Sequence, residues 1–218
     1  MMDAKELIAR RVAREIRPGT LVNLGIGLPS MVATFVPADL GVYFQAENGV
    51  IGLGARPPEG MEERHLTDAG GGFVSAVPGA ASIDSAMSFG LIRGGHLDMT
   101  VLGGLQIDES GHLANWKVPG KMVPGMGGAM DLVTGAARVV VAMQHSAKGQ
   151  SKIVARCTLP LTALRRVDLV VTDLAVIEPT ATGLILRERA PGVSVDDIRA
   201  ATEAALVIPV DVPEMILA

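Results

Sequence analysis

The stretch ARVVVAMQH, residues 137–145, holds three consecutive valines with no alternation of polar and apolar side chains. A continuous β-branched run of this kind is typical of a strand buried on both faces, as in a parallel sheet covered by helices. The stretch VDLVVTDLAVIE, residues 167–178, has the same character and predicts a second such strand. These two stretches favour an α/β fold.

The flanking segments extend this pattern in both directions. Further strands are predicted at TLVNL (20–24), GVYFQA (41–46), LDMTVLGGLQI (97–107) and TATGLILRE (180–188), the last as the second arm of a hairpin turning at Thr182-Gly183. Helices are predicted near the N-terminus, after Pro29, at residues 81–95, after the second glycine loop, and from the N-cap Ser194 with its capping-box partner Asp197. Residues 55–80 are expected to form loops. Strands alternating with helices predict one domain, residues 1–218, with a mostly parallel sheet flanked by helices.

Composition narrows the class of protein. The 218 residues are 49% hydrophobic and 19% charged, with a formal net charge of -4, so nothing suggests nucleic-acid binding. The low charged fraction hints at surface covered by other subunits. The single cysteine, Cys157, cannot form an internal disulfide, and the sequence shows neither a signal peptide nor a membrane span. A cytoplasmic protein is expected.

Two glycine-rich loops are candidate ligand sites. GIGLPS (25–30) has a serine in place of the third glycine of a dinucleotide fingerprint, and GMGGAM (125–130) also fails that spacing. Gly120-Lys121 lacks the upstream glycine of a P-loop, because Asn115 stands there. The glycines either permit tight turns or bring backbone N–H groups to a bound oxyanion or phosphate. Spacing alone leaves both interpretations open.

Other common catalytic and metal-binding patterns are absent from the sequence. The four histidines have no metal-ligand spacing, no G-x-S-x-G motif occurs, and Cys157 has no cysteine partner. We therefore expect no metal site and no serine-hydrolase site, and we interpret Cys157 as a small buried side chain.

Glu47, in FQAENGVIGLG (44–54), follows a predicted strand and precedes Asn48-Gly49. Asn-Gly is a strong signal for a type I′ hairpin turn, beside which a glutamate is commonly solvated. Alternatively, a carboxylate at a strand end can reach the crevice where α/β proteins bind ligands, and act there as base or nucleophile.

Five segments taken together are more specific than any one of them. They are NLGIGLPSMVA, QAENGVIGLG, SFGLIRGGHLD, LANWKVPGKMVPGMGGAMDLVTGA and KIVARCTLPLT. The chain resembles the B subunit of the glutamate-dependent 3-oxoacid coenzyme A-transferases, from AKELIARRVAREI to about residue 200. The tail from about residue 206 is the least characteristic part. The resemblance implies the CoA-transferase-type α/β fold and a B subunit separate from its A subunit.

The resemblance also implies roles for site residues. Glu47 matches the family's nucleophile, which carries CoA as a glutamyl-CoA thioester in a ping-pong reaction. Asn48 and Gly49 belong to the same motif, and the GMGGAM loop lines the family's site. The expected oxyanion or CoA-binding residues are therefore Asn48, Gly49, Gly127, Gly128 and Ala129, with Gly25 and Gly27 shaping the site and Lys121 a weaker candidate for a CoA phosphate.

Substrates and partners follow from the same resemblance. The expected reaction moves CoA between a succinyl-, acetyl- or butyryl-CoA and a 3-oxo acid, with acetoacetate expected and 3-oxoadipate the alternative. Some succinyl-CoA-using relatives carry NAGK where this chain has DAGG (68–71), so Gly71 replaces a lysine. An A subunit is the implied partner, in an α2β2 heterotetramer, with CoA as substrate and no permanently bound cofactor. A non-catalytic ligand-binding domain and a CoA-ester hydrolase remain as other classes.

Overall fold

The computed structural model of the protein describes residues 2–120 and 126–218, and the structural statements below concern these residues. They contain four α-helices, α1 (Ala4–Ala13), α2 (Ser85–Arg93), α3 (Ala129–Gly135) and α4 (Val195–Ala201). Two 3₁₀-helices occupy Pro29–Phe35 and Ala38–Leu40. Within the described ranges, no helix combines the length and apolar character needed to cross a membrane.

The strands form one large sheet and two small ones. In chain order they are β1 (Leu21–Leu24), β2 (Tyr43–Ala46), β3 (Val50–Leu53), β4 (Ala76–Ser82), β5 (Met99–Leu102), β6 (Gln106–Asp108), β7 (Leu113–Ala114), β8 (Arg138–Ala142), β9 (Ser146–Ala147), β10 (Gln150–Ser151), β11 (Ile153–Val154), β12 (Leu169–Val171), β13 (Ala175–Thr180), β14 (Gly183–Arg189) and β15 (Leu206–Val207). The large sheet has the order β15-β14-β13-β12-β8-β5-β1-β2-β3-β4.

The centre of the large sheet is parallel. β12, β8, β5, β1 and β2 run in one direction, and antiparallel strands extend the sheet on both sides through β3–β4 and β13–β14. The carboxyl ends of the five parallel strands therefore meet at one edge. In open α/β sheets this edge is where ligands bind.

β8 confirms the prediction made from ARVVVAMQH. Val139 and Val141 pack into one hydrophobic core with α2, α3 and α4, whereas Val140 and Ala142 pack into a second core with α1. Both faces of the strand are covered, which explains why its sequence does not alternate between polar and apolar residues.

The amino-terminal helix is tied to the sheet by buried charge. Arg11, 7% exposed, donates two hydrogen bonds to the carboxylate of Glu188 on β14, at 2.6 and 2.7 Å, and one to Glu15 at 2.6 Å. Glu15 also pairs with Arg138 on β8 at 2.5 Å. The network holds the pKa of Glu15 below its ordinary value, because its two guanidinium partners outweigh the effect of burial.

The structure corrects three predictions about strands. LDMTVLGGLQI (97–107) forms two strands that belong to different sheets, β5 and β6, with Gly103-Gly104 between them. VDLVVTDLAVIE forms two antiparallel strands, β12 and β13, because the Thr172 side chain accepts the amides of Leu174 and Ala175 and closes a tight turn. Residues 55–80 are not loop throughout, since β4 begins at Ala76. Its small residues and Pro78 give little strand propensity, and pairing with β3 defines it instead.

Three predictions about local structure have different outcomes. The segment after Pro29 is a 3₁₀-helix, where an ordinary helix was expected. The 175–189 hairpin is confirmed, but Thr180 pairs with Gly183, so the turn lies at Ala181-Thr182. The capping box of Ser194 and Asp197 at α4 is confirmed.

Candidate active site

Glu47 occupies a three-residue turn between β2 and β3. Ala46 pairs with Val50, and the amide of Gly49 donates to the Ala46 carbonyl at 3.0 Å. Gly49 has φ +121°, and a Cβ there would overlap the Ile83 carbonyl oxygen, so only glycine fits. Asn48 has no positive φ, which excludes the predicted type I′ turn. The turn presents the half-buried Glu47 at the carboxyl end of β2.

Two neighbouring segments hold this turn in place. The side-chain amide of Asn48 donates to the Thr67 carbonyl at 2.8 Å, and the amide of Ile83 donates to the Gly49 carbonyl at 2.8 Å. Asn48 and Gly49 thus use these groups on the protein itself. These contacts hold Glu47 at the end of the strand.

The second glycine loop lies directly against Glu47. A Cβ built on Gly128 would be 3.2 Å from Cγ and 3.4 Å from Oε1 of Glu47, and one on Gly127 would be 3.7 Å from Oε1. Gly127 has φ +55°, and Gly128 is the N-cap of α3, which starts at Ala129. The structure therefore brings together residues about 80 positions apart that the sequence analysis placed in one site. We call Gly127, Gly128 and Ala129 the glycine wall.

Glu47 and the glycine wall border a cleft of about 540 Å³ at the carboxyl ends of β1, β2 and β5. The described residues lining it are Leu24, Gly25, Ile26, Glu47, Ala69, Leu102, Gly103, Gly104, Leu105, Asn115, Trp116, Met126, Gly127, Gly128, Ala129 and Leu132. In this lining, as far as the structure describes it, Glu47 is the only charged side chain. Apart from Glu47, the described lining therefore offers a bound acyl group uncharged and mostly apolar surroundings.

The two predicted site-shaping glycines differ in position. Gly25 lines the cleft and donates its amide to the Val101 carbonyl at 2.8 Å, joining the ends of β1 and β5. Gly27, with φ +86°, accepts the Ser30 amide and hydroxyl and starts the following 3₁₀-helix. Lys121 and Gly125 lie outside the described residues.

A buried polar network lies one layer beneath the cleft, and sequence reasoning missed it. Asn23 donates to the Gln45 backbone and side-chain oxygens at 3.0 Å each, and Thr100 donates to Asn23 at 3.2 Å. Gln45 donates in turn to Ser88 on α2 at 2.9 Å. All four side chains are at most 2% exposed. Gly25, Glu47 and Leu102 follow these strand residues by two positions, so the network fixes the layer below the cleft.

The same helix α2 also packs against α3, which begins at Ala129 of the glycine wall. Arg93, at the end of α2, pairs with Asp131 on α3 at 2.7 Å. A Cβ on Gly135 of α3 would overlap the Ile92 carbonyl oxygen, so the two helices approach closely. Glu47 and Gly128 are therefore connected through β2, α2 and α3 as well as by direct contact.

Two other potentially reactive side chains, those of His145 and Cys157, lie away from the cleft. His145 is fully buried between the Thr172 and Thr202 hydroxyls, at 3.0 and 2.9 Å, and burial lowers its pKa to about 4. Burial, together with Asp108, raises the pKa of Cys157 to about 12, so it is a thiol at neutral pH. Neither lines the cleft.

Among residues 2–120 and 126–218, no group of three or more His, Cys, Asp or Glu side chains is arranged to hold a metal ion. The chemistry that the cleft itself offers is that of one accessible carboxylate, surrounded by glycine backbone and apolar side chains. A carboxylate in this setting can attack an electrophilic carbonyl or accept a proton.

The sequence matches the family described as Coenzyme A transferase over residues 5–201. It is 55% identical over 211 residues to the β chain of the acetate CoA-transferase of Escherichia coli K12, covering 96% of each chain. It is 47% identical over 201 residues to the B chain of the succinyl-CoA:3-ketoacid coenzyme A transferase of Helicobacter pylori, covering 92% of this chain and 97% of that one.

The fold matches that of an acyl-CoA transferase from Escherichia coli O157:H7, solved as a thioester complex with CoA. The TM-score is 0.77 at 23% sequence identity, and the match covers 99% of this chain and 44% of that chain. At this identity the likeness concerns the fold alone. This chain thus spans less than half of that transferase chain.

Proposed function

The chain belongs to the coenzyme A transferase family, and from that premise we propose that it supplies the nucleophile for reversible CoA transfer between a short acyl-CoA and a short carboxylic acid. The nucleophile is Glu47. The observation that carries the proposal is the contact of its carboxylate with the glycine wall, at the apolar cleft where the parallel strands end.

In the first half-reaction, a Glu47 carboxylate oxygen attacks the acyl carbonyl of the donor acyl-CoA. The thioester C–S bond breaks, leaving a mixed anhydride and CoA thiolate. The thiolate then attacks the glutamyl carbonyl, and the anhydride C–O bond breaks. The donor leaves as its carboxylate, and Glu47 carries CoA as a thioester.

In the second half-reaction the acceptor acid reverses these steps. Its carboxylate attacks the glutamyl carbonyl, and CoA thiolate leaves. The thiolate then attacks the acyl carbonyl of the new anhydride, which forms the product acyl-CoA and restores the Glu47 carboxylate. No proton is transferred, so the cleft needs no general base. This agrees with the described lining, in which Glu47 is the only charged residue.

Each step passes through a tetrahedral oxyanion, which needs hydrogen-bond donors. The proposed donors are the backbone N–H groups of Gly127 and Gly128, because a Cβ on either residue would lie within 3.7 Å of the Glu47 side chain. The N–H of Ala129, the third residue expected here, donates to the Met126 carbonyl at 3.3 Å. The absence of a side chain at Gly128 lets the backbone approach the reacting carbon. Asn48 and Gly49 act by holding Glu47, through the hydrogen bonds already described.

The cleft lining favours acids with one carboxylate. A dicarboxylate such as succinate would need a cation for its second charge, and the described lining contains none. Gly71 also replaces the lysine found in some succinyl-CoA-using relatives. We therefore propose acetyl-CoA or butyryl-CoA as donor, which releases acetate or butyrate respectively, and acetoacetate as acceptor. A relative named acetate CoA-transferase, at 55% identity, supports this choice.

The proposed assembly is an α2β2 heterotetramer with an A subunit, supported by relatives whose names describe one of two types of subunit. No permanently bound cofactor is needed for the reaction as written. A cytoplasmic location remains the expectation from the single cysteine.

The test is an assay of the chain produced together with its A subunit. With acetyl-CoA as donor, acetoacetate should be converted to its CoA ester, and succinate and 3-oxoadipate should be poor acceptors. Preferred transfer to 3-oxoadipate would favour the alternative acceptor. Loss of thioester without any acceptor would instead indicate a CoA-ester hydrolase using Glu47 as base.

A further inference from the structure

Trp116 lies on the side of the cleft opposite Glu47. Glu47 follows β2, whereas Trp116 belongs to a segment held at the end of β5, because the Asn115 side-chain amide donates to the Gly103 carbonyl at 3.1 Å. In the sheet, β1 lies between β2 and β5. Neighbouring strands are about 4.8 Å apart, so roughly 10 Å separates the ends of β2 and β5. Glu47 and Trp116 both line the cleft, which therefore extends about this far between them.

Hydrogen bonds hold Trp116 in place. Its indole N–H donates to the Leu161 carbonyl at 3.2 Å, and the Lys117 ammonium lies 5.7 Å from the ring centroid in a cation–π contact. The preceding residue is fixed as well, since Asn115 exchanges two hydrogen bonds with the Thr162 hydroxyl, at 3.1 and 2.7 Å. Thr162 is only 1% exposed. A bound group could displace Trp116 only by breaking these contacts, so the ring is a fixed part of the cleft.

The Trp116 ring offers the cleft an apolar surface. Indole has one hydrogen-bonding group, a donor, and the Leu161 carbonyl accepts its hydrogen bond. Among the described lining residues Trp116 is the only aromatic one, and it shares the lining with Leu102, the last residue of β5, and with Leu105. This side of the cleft therefore suits an apolar chain.

We propose that Trp116 determines specificity for acyl chain length, because the acyl group points from Glu47 towards the ring and ends against it. This inference rests on the proposed function, which places the acyl carbonyl at the Glu47 carboxylate. Of the roughly 10 Å between the two sides of the cleft, van der Waals contact takes about 3.5 Å at each end. The remaining length holds an acetyl, butyryl or acetoacetyl group, whereas the chain of an octanoyl group would overlap the indole ring.

The CoA portion of the substrate has to leave the cleft in another direction. Its pantetheine arm and nucleotide together are far longer than the cleft, so they must extend to solvent. Ile26, another lining residue, is 71% exposed, whereas Trp116 is half-buried. The cleft is therefore more open at Ile26 than at Trp116. We place CoA on the side of Ile26 and the acyl chain on the side of Trp116.

The experiment measures kcat/KM for acetyl-, butyryl-, hexanoyl- and octanoyl-CoA with acetoacetate as acceptor, on the chain produced together with its A subunit. The wild-type value should fall sharply beyond butyryl-CoA. Trp116→Ala should raise the ratio of octanoyl-CoA to butyryl-CoA use about 100-fold, because several more methylene groups can then be buried. Trp116→Leu keeps an apolar side chain of intermediate size and should give a smaller rise. Tyr43→Ala, the control, removes a 38% exposed aromatic ring at the opposite end of β2 and should leave the ratio unchanged.

A fluorescence measurement identifies the part of the substrate that meets Trp116 and does not depend on turnover. Trp116 is the only tryptophan of this chain, so subtracting the spectrum of a Trp116→Phe complex isolates its signal from any tryptophan of the A subunit. Both complexes carry Glu47→Gln to stop the reaction. Butyryl-CoA should shift the Trp116 emission, and free CoA should not.

Three results would overturn the inference. They are a wild-type complex that uses octanoyl-CoA as well as butyryl-CoA, an unchanged chain-length ratio in active Trp116→Ala and Trp116→Leu complexes, and equal emission shifts with free CoA and butyryl-CoA. The last result would assign Trp116 to the pantetheine arm. All three leave the proposed function intact as long as CoA becomes attached to Glu47. A wild-type complex that forms no such adduct with any donor would refute the proposed function itself.

Discussion

Gly128 lies so close to Glu47 that a Cβ on Gly128 would be only 3.2 Å from Cγ of the glutamate. This separation is tighter than most Cβ contacts, so a side chain at position 128 must displace the carboxylate or the loop. The contact makes the position of Glu47 depend on a residue about 80 positions later in the chain.

Gly128→Ala should therefore lower kcat about tenfold, since the alanine Cβ displaces the reacting carboxylate by a few tenths of an ångström and a full 1 Å costs about 100-fold. Its φ of -82° suits alanine, so the free energy of unfolding should change little. Gly127→Ala is the matched control. Its Cβ would make an ordinary 3.7 Å contact, but its φ of +55° strains alanine by about 1 kcal/mol.

The two variants should thus separate activity from stability, as measured by steady-state kinetics and urea unfolding. Full activity in Gly128→Ala would show that the contact with Glu47 has no catalytic consequence.

The buried network beneath the cleft predicts a positioning role for Ser88. Ser88→Ala leaves the side-chain N–H of Gln45 without its partner in a buried site, which should cost about 1–3 kcal/mol of stability. Because Gln45 lies two residues before Glu47, the single-turnover rate of CoA attachment should fall about tenfold. Thr172→Val removes a buried hydroxyl outside the cleft and should cost similar stability without slowing attachment.

Ser88→Thr, which keeps the hydroxyl, should restore much of the rate. If Ser88→Ala and Thr172→Val lose equal stability and slow CoA attachment equally, the slowing comes from destabilisation in general. Ser88 would then have no positioning role.

His145 predicts a pH dependence of stability. Burial lowers its pKa to about 4 in the folded protein, against 6.5 for an unperturbed histidine, so the unfolded chain binds the proton more tightly. The stabilising contribution is complete above about pH 6.5 and is lost as the pH falls through about 4. Between these two pH values, the contribution of His145 to the slope of the unfolding free energy against pH approaches about 1.4 kcal/mol per pH unit.

Urea unfolding between pH 4 and 7.5 measures that slope. His145→Gln should flatten it, whereas His96→Gln, at an exposed histidine, should leave it unchanged. An identical slope in wild type and His145→Gln would contradict the assignment.

Gly71→Lys tests the proposed preference for monocarboxylates. Gly71 is exposed, and a Cβ there would meet no atom within 4 Å, so a lysine can extend freely towards the cleft that Ala69 lines. The ratio of succinyl-CoA to acetyl-CoA use should rise about tenfold, through a lower KM for succinyl-CoA. Gly71→Met has a similar length without charge and is the control. Its φ of +78° strains both variants equally.

The sequence predicted the centre of the fold well, for a physical reason. β8 is buried on both faces, and a strand of this kind needs a continuous apolar run that is visible in ARVVVAMQH. β4 could not be predicted, because Pro78 and Gly79 carry no strand propensity and only its pairing with β3 holds it extended. The break between β12 and β13 depends on the Thr172 hydroxyl, whose hydrogen bonds the letters TDL do not reveal.

The candidate site likewise has one part that the sequence predicted and another that it did not. Glu47 and the glycine wall were predicted from motifs that resemble a family, and the structure places them in contact. The network of Asn23, Gln45 and Ser88 was missed, since it joins three separate segments by side-chain hydrogen bonds with no local pattern.

The central claim is that Glu47 becomes covalently attached to CoA, and intact-mass spectrometry tests it most directly. The chain with its A subunit is mixed with acetyl-CoA in the absence of an acceptor acid. We expect a mass increase equal to CoA less one water, mapped to the peptide containing Glu47. Glu47→Gln should give no adduct and lower kcat about 10³-fold or more, whereas Glu59→Gln, at an exposed glutamate, should behave as wild type. An active preparation without this adduct, or an adduct on another residue, would contradict the account.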